Sequence, residues 1–226
     1  MIAKCVLPAT VLFLSAEHLC AQSERGQRVP DFLGRKVTVI EPKHDADGFS
    51  PKGPASVCLE APPQQQCYTP SRKFGNQPTV TVVQIARDLS ALLFSAASGG
   101  VSGLAIHFAL LHPGTRRELE DSFPSDLVLS NQSQHAFWSE PSVSRAAIFV
   151  TADYRWGANE GHYGPHRYMI SSYVLESESV LDPSFYYYYL RDHYMTSRKY
   201  DLDGDEKTNI LSQEKQEILS RLNKQK

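Results

Sequence analysis

Excess charge is the first thing the sequence lacks: 23 Lys and Arg face 25 Asp and Glu across 226 residues. A near-neutral chain has no electrostatic footprint for a phosphate backbone and no polybasic patch for a membrane surface, so no nucleic-acid partner is expected. Past the N-terminal stretch, no apolar run approaches the roughly 20 residues that a membrane helix needs, so no transmembrane segment is expected after signal cleavage. A G-x-S-x-G elbow is missing, and the glycine-rich "SGGVSG" of residues 98–103 gives no serine a nucleophile's setting. Four cysteines occur, Cys5, Cys20, Cys58 and Cys67, with no C-x-x-C among them. Zinc-ribbon spacing is therefore excluded.

What the N-terminus does have is the order of an export signal. Lys4 precedes the apolar "VLPATVLFLSA", which is too short to span a bilayer, and Leu19 and Ala21 stand at the usual spacing before a cut after Ala21. Glu17, His18 and Leu19 before Cys20 are wrong for a lipobox. Residues 1–21 are thus expected to be a cleaved signal peptide, giving a secreted or periplasmic protein. Lys4 and Glu17 cancel, so cleavage leaves the net charge at -2. Cleavage also removes Cys5 and Cys20. In an oxidising compartment the remaining Cys58 and Cys67, bounding "CLEAPPQQQC", are expected to form a disulfide.

Residues 22–55 are rich in proline, glycine and charge, with one apolar run, "KVTVI". They read as a loosely ordered N-terminal arm holding at most one strand. From 56 to 200 the period is two. Leu104, Ile106, Phe108 and Leu110 share one face; Ile148, Val150, Ala152 and Tyr154 share another, with Phe149, Thr151, Asp153 and Arg155 opposite. Further strands are expected at "TVTVVQI", "ALLFSAA", "DLVLSNQ", "YMISSYVL" and "FYYYYLRDHYM", separated by Gly and Pro turns. The fold class expected is mainly β, an antiparallel β-sandwich or open barrel with a C-terminal amphipathic helix. That helix falls in residues 201–226, after an acidic turn. Leu211, Ile218 and Leu222 form its stripe, Glu217 can pair with Arg221, and Glu214 near its start suits the dipole.

The strings "SALLFSAASGGVSG", "SNQSQHAFW", "IFVTADYRWG" with "EGHYGPHRY", and "YYYYLRDHYMTSRKYDL" with "EKQEILSRL" resemble a group of uncharacterised secreted bacterial proteins over roughly residues 55–222. The resemblance implies secretion and supplies no catalytic residue.

Four places could carry function. In "RWGANEGHYGPHRY", Trp156, Glu160, His162, Tyr163, His166 and Arg167 crowd a loop longer than a usual hairpin turn, and are expected to form an exposed ligand-binding surface. Glu160, His162 and His166 are metal-capable types, but Gly161, Gly164 and Pro165 exclude the helix that would fix H-E-x-x-H geometry. In "DLDGDEKTN", Asp201, Asp203 and Asp205 match positions one, three and five of an EF-hand or dockerin-like loop. Glu206 stands where glycine belongs, and Ser212 replaces the closing carboxylate. Third, His135 and Trp138 in "HAFW" follow an amide-rich run, where Asn131-Gln132-Ser133 is a formal glycosylation acceptor. Fourth, His107, between Ala105 and Ala109, reads as a hydrogen-bonded core histidine.

These features point to a non-enzymatic binding protein for a sugar, peptide or envelope partner, with no cofactor. The alternatives are a metal-assisted or His/Glu-dependent hydrolase, with Asp153 orienting a histidine, and a structural or assembly subunit.

Overall fold

The computed structural model describes residues 31–46, 50–60, 64–99, 104–114, 118–124, 127–155, 157, 164–175, 187–201 and 209–225. The expected signal peptide lies outside them.

Three antiparallel sheets and one helix make up the molecule. The first sheet joins β1 (Val37–Ile40), β2 (Ser56–Leu59) and β3 (Gln66–Tyr68). The second runs β4 (Asn76–Ala86), β5 (Leu89–Ser98), β6 (Ala105–Pro113) and β7 (Leu119–Asp121), with β8 (Leu127–Ser130) pairing the other end of β6. The third has the order β12 (Tyr188–Met195), β11 (Tyr168–Leu175), β10 (Ile148–Tyr154), β9 (Gln134–Trp138). The helix α1 spans Ile210–Lys224. The fold is mainly β, as expected from the alternating pattern, and no sheet closes into a barrel among the described residues.

Period two explains the stacking. On β5, Leu92, Phe94 and Ala96 point to the first sheet, packing on Val57, Leu59 and Phe74, while Ala91 and Leu93 point to the third. On β6, Ala109 and Leu111 take the first direction and Phe108 and Leu110 the second. Strands covered on both sides need apolar residues at nearly every position, which is why "ALLFSAA" and "HFALL" read as continuous runs. On the far side of the third sheet, Ile148, Val150, Ala152, Ile170 and Val174 receive the helix residues Ile210, Leu211, Ile218 and Leu222. Each of those helix side chains contributes roughly 1.5–3 kcal/mol on burial, enough to hold a helix that alone would be marginal.

Two expectations change, and the disulfide stands. The segment 22–55 was expected as a loose arm, yet over its described part β1 pairs β2 with Thr38 opposite Cys58, and Phe32, Val37 and Ala55 are buried. A boundary at 55/56 would cut that sheet. Cys58 and Cys67 bond as expected, as direct partners on β2 and β3, 4.1 Å apart at Cα. Glu214 does not serve the helix dipole. The helix has no acid in its first turn, Asn209 caps it by accepting from Ser212 N at 2.9 Å, and Glu214 turns inward. There it accepts from the hydroxyls of Tyr194 (2.9 Å) and Tyr200, with Arg198 Nε 3.8 Å away. Glu217 pairs with Arg221 as its spacing predicts, at 3.8 Å.

Candidate functional site

The aromatic and histidine-rich stretch is described only at its ends. Trp156, Glu160, His162 and Tyr163 lie outside the described residues; Arg155, Gly157 and Gly164–Tyr168 lie within. Strand alternation continues further back than the sequence suggested. His166 exchanges backbone hydrogen bonds with Tyr200 (2.9 and 2.7 Å), and its ring turns to the helix side, where Nε2 bonds the Tyr154 hydroxyl at 3.0 Å. At 4% exposure it departs from the expected exposed ligand surface. Arg167, the next residue, points the other way and is exposed. Neighbours in a strand face opposite sides, so one cluster in sequence becomes two places in space.

His135 and Trp138 fall on β9, the outer strand of the third sheet, beside a cleft of about 330 Å³ shared with Gln134, Ala136, Asn209, Leu211 and Ser212. The His135 ring lies 4.7 Å from Phe108 and 6.2 Å from Phe149, and the partial burial of its ring lowers its pKa. Trp138 carries the Lys215 ammonium 5.2 Å over its ring. The amides of this cleft are occupied. Gln134 Oε1 accepts from Ile210 N at 2.8 Å, and Asn209 Oδ1 from Ser212 N. Those bonds satisfy the orphan donors that open every helix, so the cleft serves as the seat of α1.

A second cleft, of about 240 Å³, opens between the second and third sheets, where β8 leaves β10 and β11 partly uncovered. Pro124, Leu127, Val128 and Leu129 make one wall; Thr151, Asp153, Arg155, Met169, Ser171 and Tyr173 make the floor and mouth. The floor is a regular grid, with Thr151 opposite Ser171 and Asp153 opposite Met169 in the β10–β11 register. Its polar groups are not occupied in the way those of the first cleft are. Thr151 is 1% exposed, and what remains of its surface opens on the cleft; its hydroxyl takes no side-chain hydrogen bond from a described residue. Asp153 Oδ1 accepts from Ser130 N (2.9 Å) and Tyr154 N (3.0 Å), while Oδ2 takes no bond from a described residue. Burial of Tyr173 pushes its hydroxyl pKa up, so it stays neutral. The sequence showed Thr151, Asp153 and Arg155 sharing a face. It gave no sign that the opposite sheet would end short of them.

The remaining titratable groups are structural. His107, as expected, is buried and hydrogen-bonded, to the Tyr68 hydroxyl at 2.8 Å, with Phe74 stacked on it. Ser122, His112 and Glu120 resemble a hydrolytic triad: Ser122 Oγ lies 2.9 Å from His112 Nδ1, and Glu120 3.9 Å from Nε2. Ser122 is 0% exposed, however, so no substrate carbonyl can reach its oxygen. Asp201 is exposed, and Asp203 and Asp205 lie outside the described residues. Among the described residues no three His, Cys, Asp or Glu side chains gather as a metal would need, and no helix is long and apolar enough to cross a membrane. Comparison with known protein families, curated proteins and solved structures found no match to this chain.

Proposed function

We propose that this protein is a secreted or periplasmic binding protein that holds a small polar ligand in the cleft between its second and third sheets, without catalysing a reaction on it. The supporting observation is Thr151: a side chain almost wholly removed from water whose hydroxyl faces the cleft with no side-chain partner among the described residues. A hydroxyl held in place by the sheet and still open to the cleft gives a ligand a hydrogen bond worth about 0.5–1.5 kcal/mol. Asp153 Oδ2 and the Arg155 guanidinium add an acceptor and a donor at the same opening. That set orients a ligand; it does not form a nucleophile with its base, because no imidazole lies within the cleft's described lining.

The test is a thermal-shift screen of small polar compounds followed by calorimetry on any hit, since a ligand that binds only the native state raises the melting temperature. Binding should weaken sharply in Thr151→Val and Asp153→Asn, both close to the original shape. Hits that bind these variants as tightly as the parent protein would place the ligand elsewhere and refute the assignment.

A further inference from the structure

Resting on the cleft assignment above, we infer that its ligand is a carboxylated sugar unit, with hydroxyls on the floor and the carboxylate at the mouth. Arg155 lines the mouth, and Arg167 is its cross-strand neighbour. Arg155 N donates to Arg167 O at 3.4 Å, which extends the β10–β11 ladder one pair beyond Tyr154 opposite Tyr168. Alternation then puts both arginines on the face that carries Asp153 and Met169. Both are exposed, and among the described residues neither guanidinium has an ion-pair partner. Among the described residues two guanidiniums then share this face with one carboxylate, that of Asp153, and a guanidinium binds a carboxylate through two parallel N–H bonds.

Deeper in, the character changes. Thr151, Ser171 and Tyr173 present neutral hydroxyls, each able to donate or accept, and Asp153 Oδ2 offers an acceptor. Ligand hydroxyls, which also do both, match that set better than an ammonium, which only donates. Leu127, Leu129 and Met169 give the C–H face of a ring its apolar contact.

Calorimetry with glucuronate, glucose and glycine separates the possibilities. Glucuronate is expected to bind about tenfold or more tightly than glucose, the margin a hydrogen bond to a charged group supplies. Arg155→Gln with Arg167→Gln should erase that preference while leaving the weaker glucose binding in place, and Thr151→Val should weaken both sugars. If glucose binds as well as glucuronate, or glycine binds better than either, the cleft is a ligand site and the carboxylated sugar is wrong. If no probe binds, or binding ignores Thr151→Val and Asp153→Asn, the sugar is wrong and the cleft assignment loses its support as well.

Discussion

His166 and Arg167 are adjacent in the chain and on opposite sides of the third sheet: the imidazole sits under Tyr154, and the guanidinium stands in solvent beside the inter-sheet cleft. Their substitutions should therefore separate. His166→Ala removes a buried imidazole together with its hydrogen bond to the Tyr154 hydroxyl and is expected to cost about 1–3 kcal/mol in denaturant unfolding. Arg167→Ala should change stability by less than about 0.5 kcal/mol, as surface changes do. A comparable loss from both would put Arg167 into the packed side of the sheet.

Alkaline pH tests the inward turn of Glu214. Burial raises the Tyr200 hydroxyl to about 12, helped by its bond to Glu214, and raises Tyr194 as well, by burial first and Glu214 second. An unfolded tyrosine titrates near 10. The unfolded chain therefore loses these protons first, and the stability they contribute is complete below about pH 10 and disappears as pH rises toward the folded values. Tyrosinate absorbance should lag behind a free-tyrosine titration until unfolding. In Glu214→Gln, which keeps an acceptor and removes the charge, the Tyr200 titration should move back toward 10.

Asp192 supplies the acid limb. Its hydrogen bond to Arg221 (2.6 Å to Nε, 3.2 Å to a terminal nitrogen) holds its carboxyl below the ordinary aspartate range. A depressed carboxylate contributes stability that is present above the unfolded value near 4 and lost as pH falls through the folded one. Asp192→Asn should flatten the acid side of the stability curve. An unchanged acid limb would mean that the bond between β12 and α1 contributes nothing.

Breaking the Cys58–Cys67 bond frees the unfolded chain of one closed loop, an effect of about 2–3 kcal/mol in the chain-entropy model for so short a loop. Cys58→Ser with Cys67→Ser should lower the unfolding free energy by that amount and leave ligand titrations unaltered.

At the turn joining Phe32 to Arg35, Leu33 and Gly34 both have positive φ, 52° and 70°, and Leu33 is 64% exposed. Such a two-residue turn favours Asn-Gly, because a branched apolar side chain is strained there. Leu33→Asn is expected to raise the unfolding free energy by about 1 kcal/mol. A melting temperature no higher than the parent's would argue against strain at this residue.

Much of the architecture was legible because period two survives burial on both faces: the alternation of Ile148 and Phe149 predicted a strand and also its two sides. The stripe of Leu211, Ile218 and Leu222 likewise gave the helix and its buried face. The site was less legible, for two physical reasons. His166 and Arg167 looked like one cluster, since the sequence does not show how far into a loop the ladder runs. The inter-sheet cleft arises because four-residue β8 leaves longer β10 and β11 uncovered, and the lengths of strands in different sheets are not coupled by any local pattern. The strand at "KVTVI" was legible and is β1; the anchoring of the segment around it was not, because Phe32 and Ala55 are isolated apolar residues, and isolated residues carry no period.

The stacked layers have one more consequence, for how the chain comes together. Each sheet is built from a continuous run of the chain, 37–68, then 76–130, then 134–195, and the helix at 210–224 follows; each packs on the layer before it. Spatial order is therefore synthetic order. A chain emerging N-terminus first can add one leaf at a time, and no strand has to thread back between two leaves already in place. Strands pair mostly with near neighbours in the chain, within one leaf, which favours faster assembly than the mainly β content alone would suggest. The exposed apolar face at each stage belongs to the newest leaf and waits only for the next segment, so loss of the closing helix uncovers one face and leaves the inner two interfaces intact.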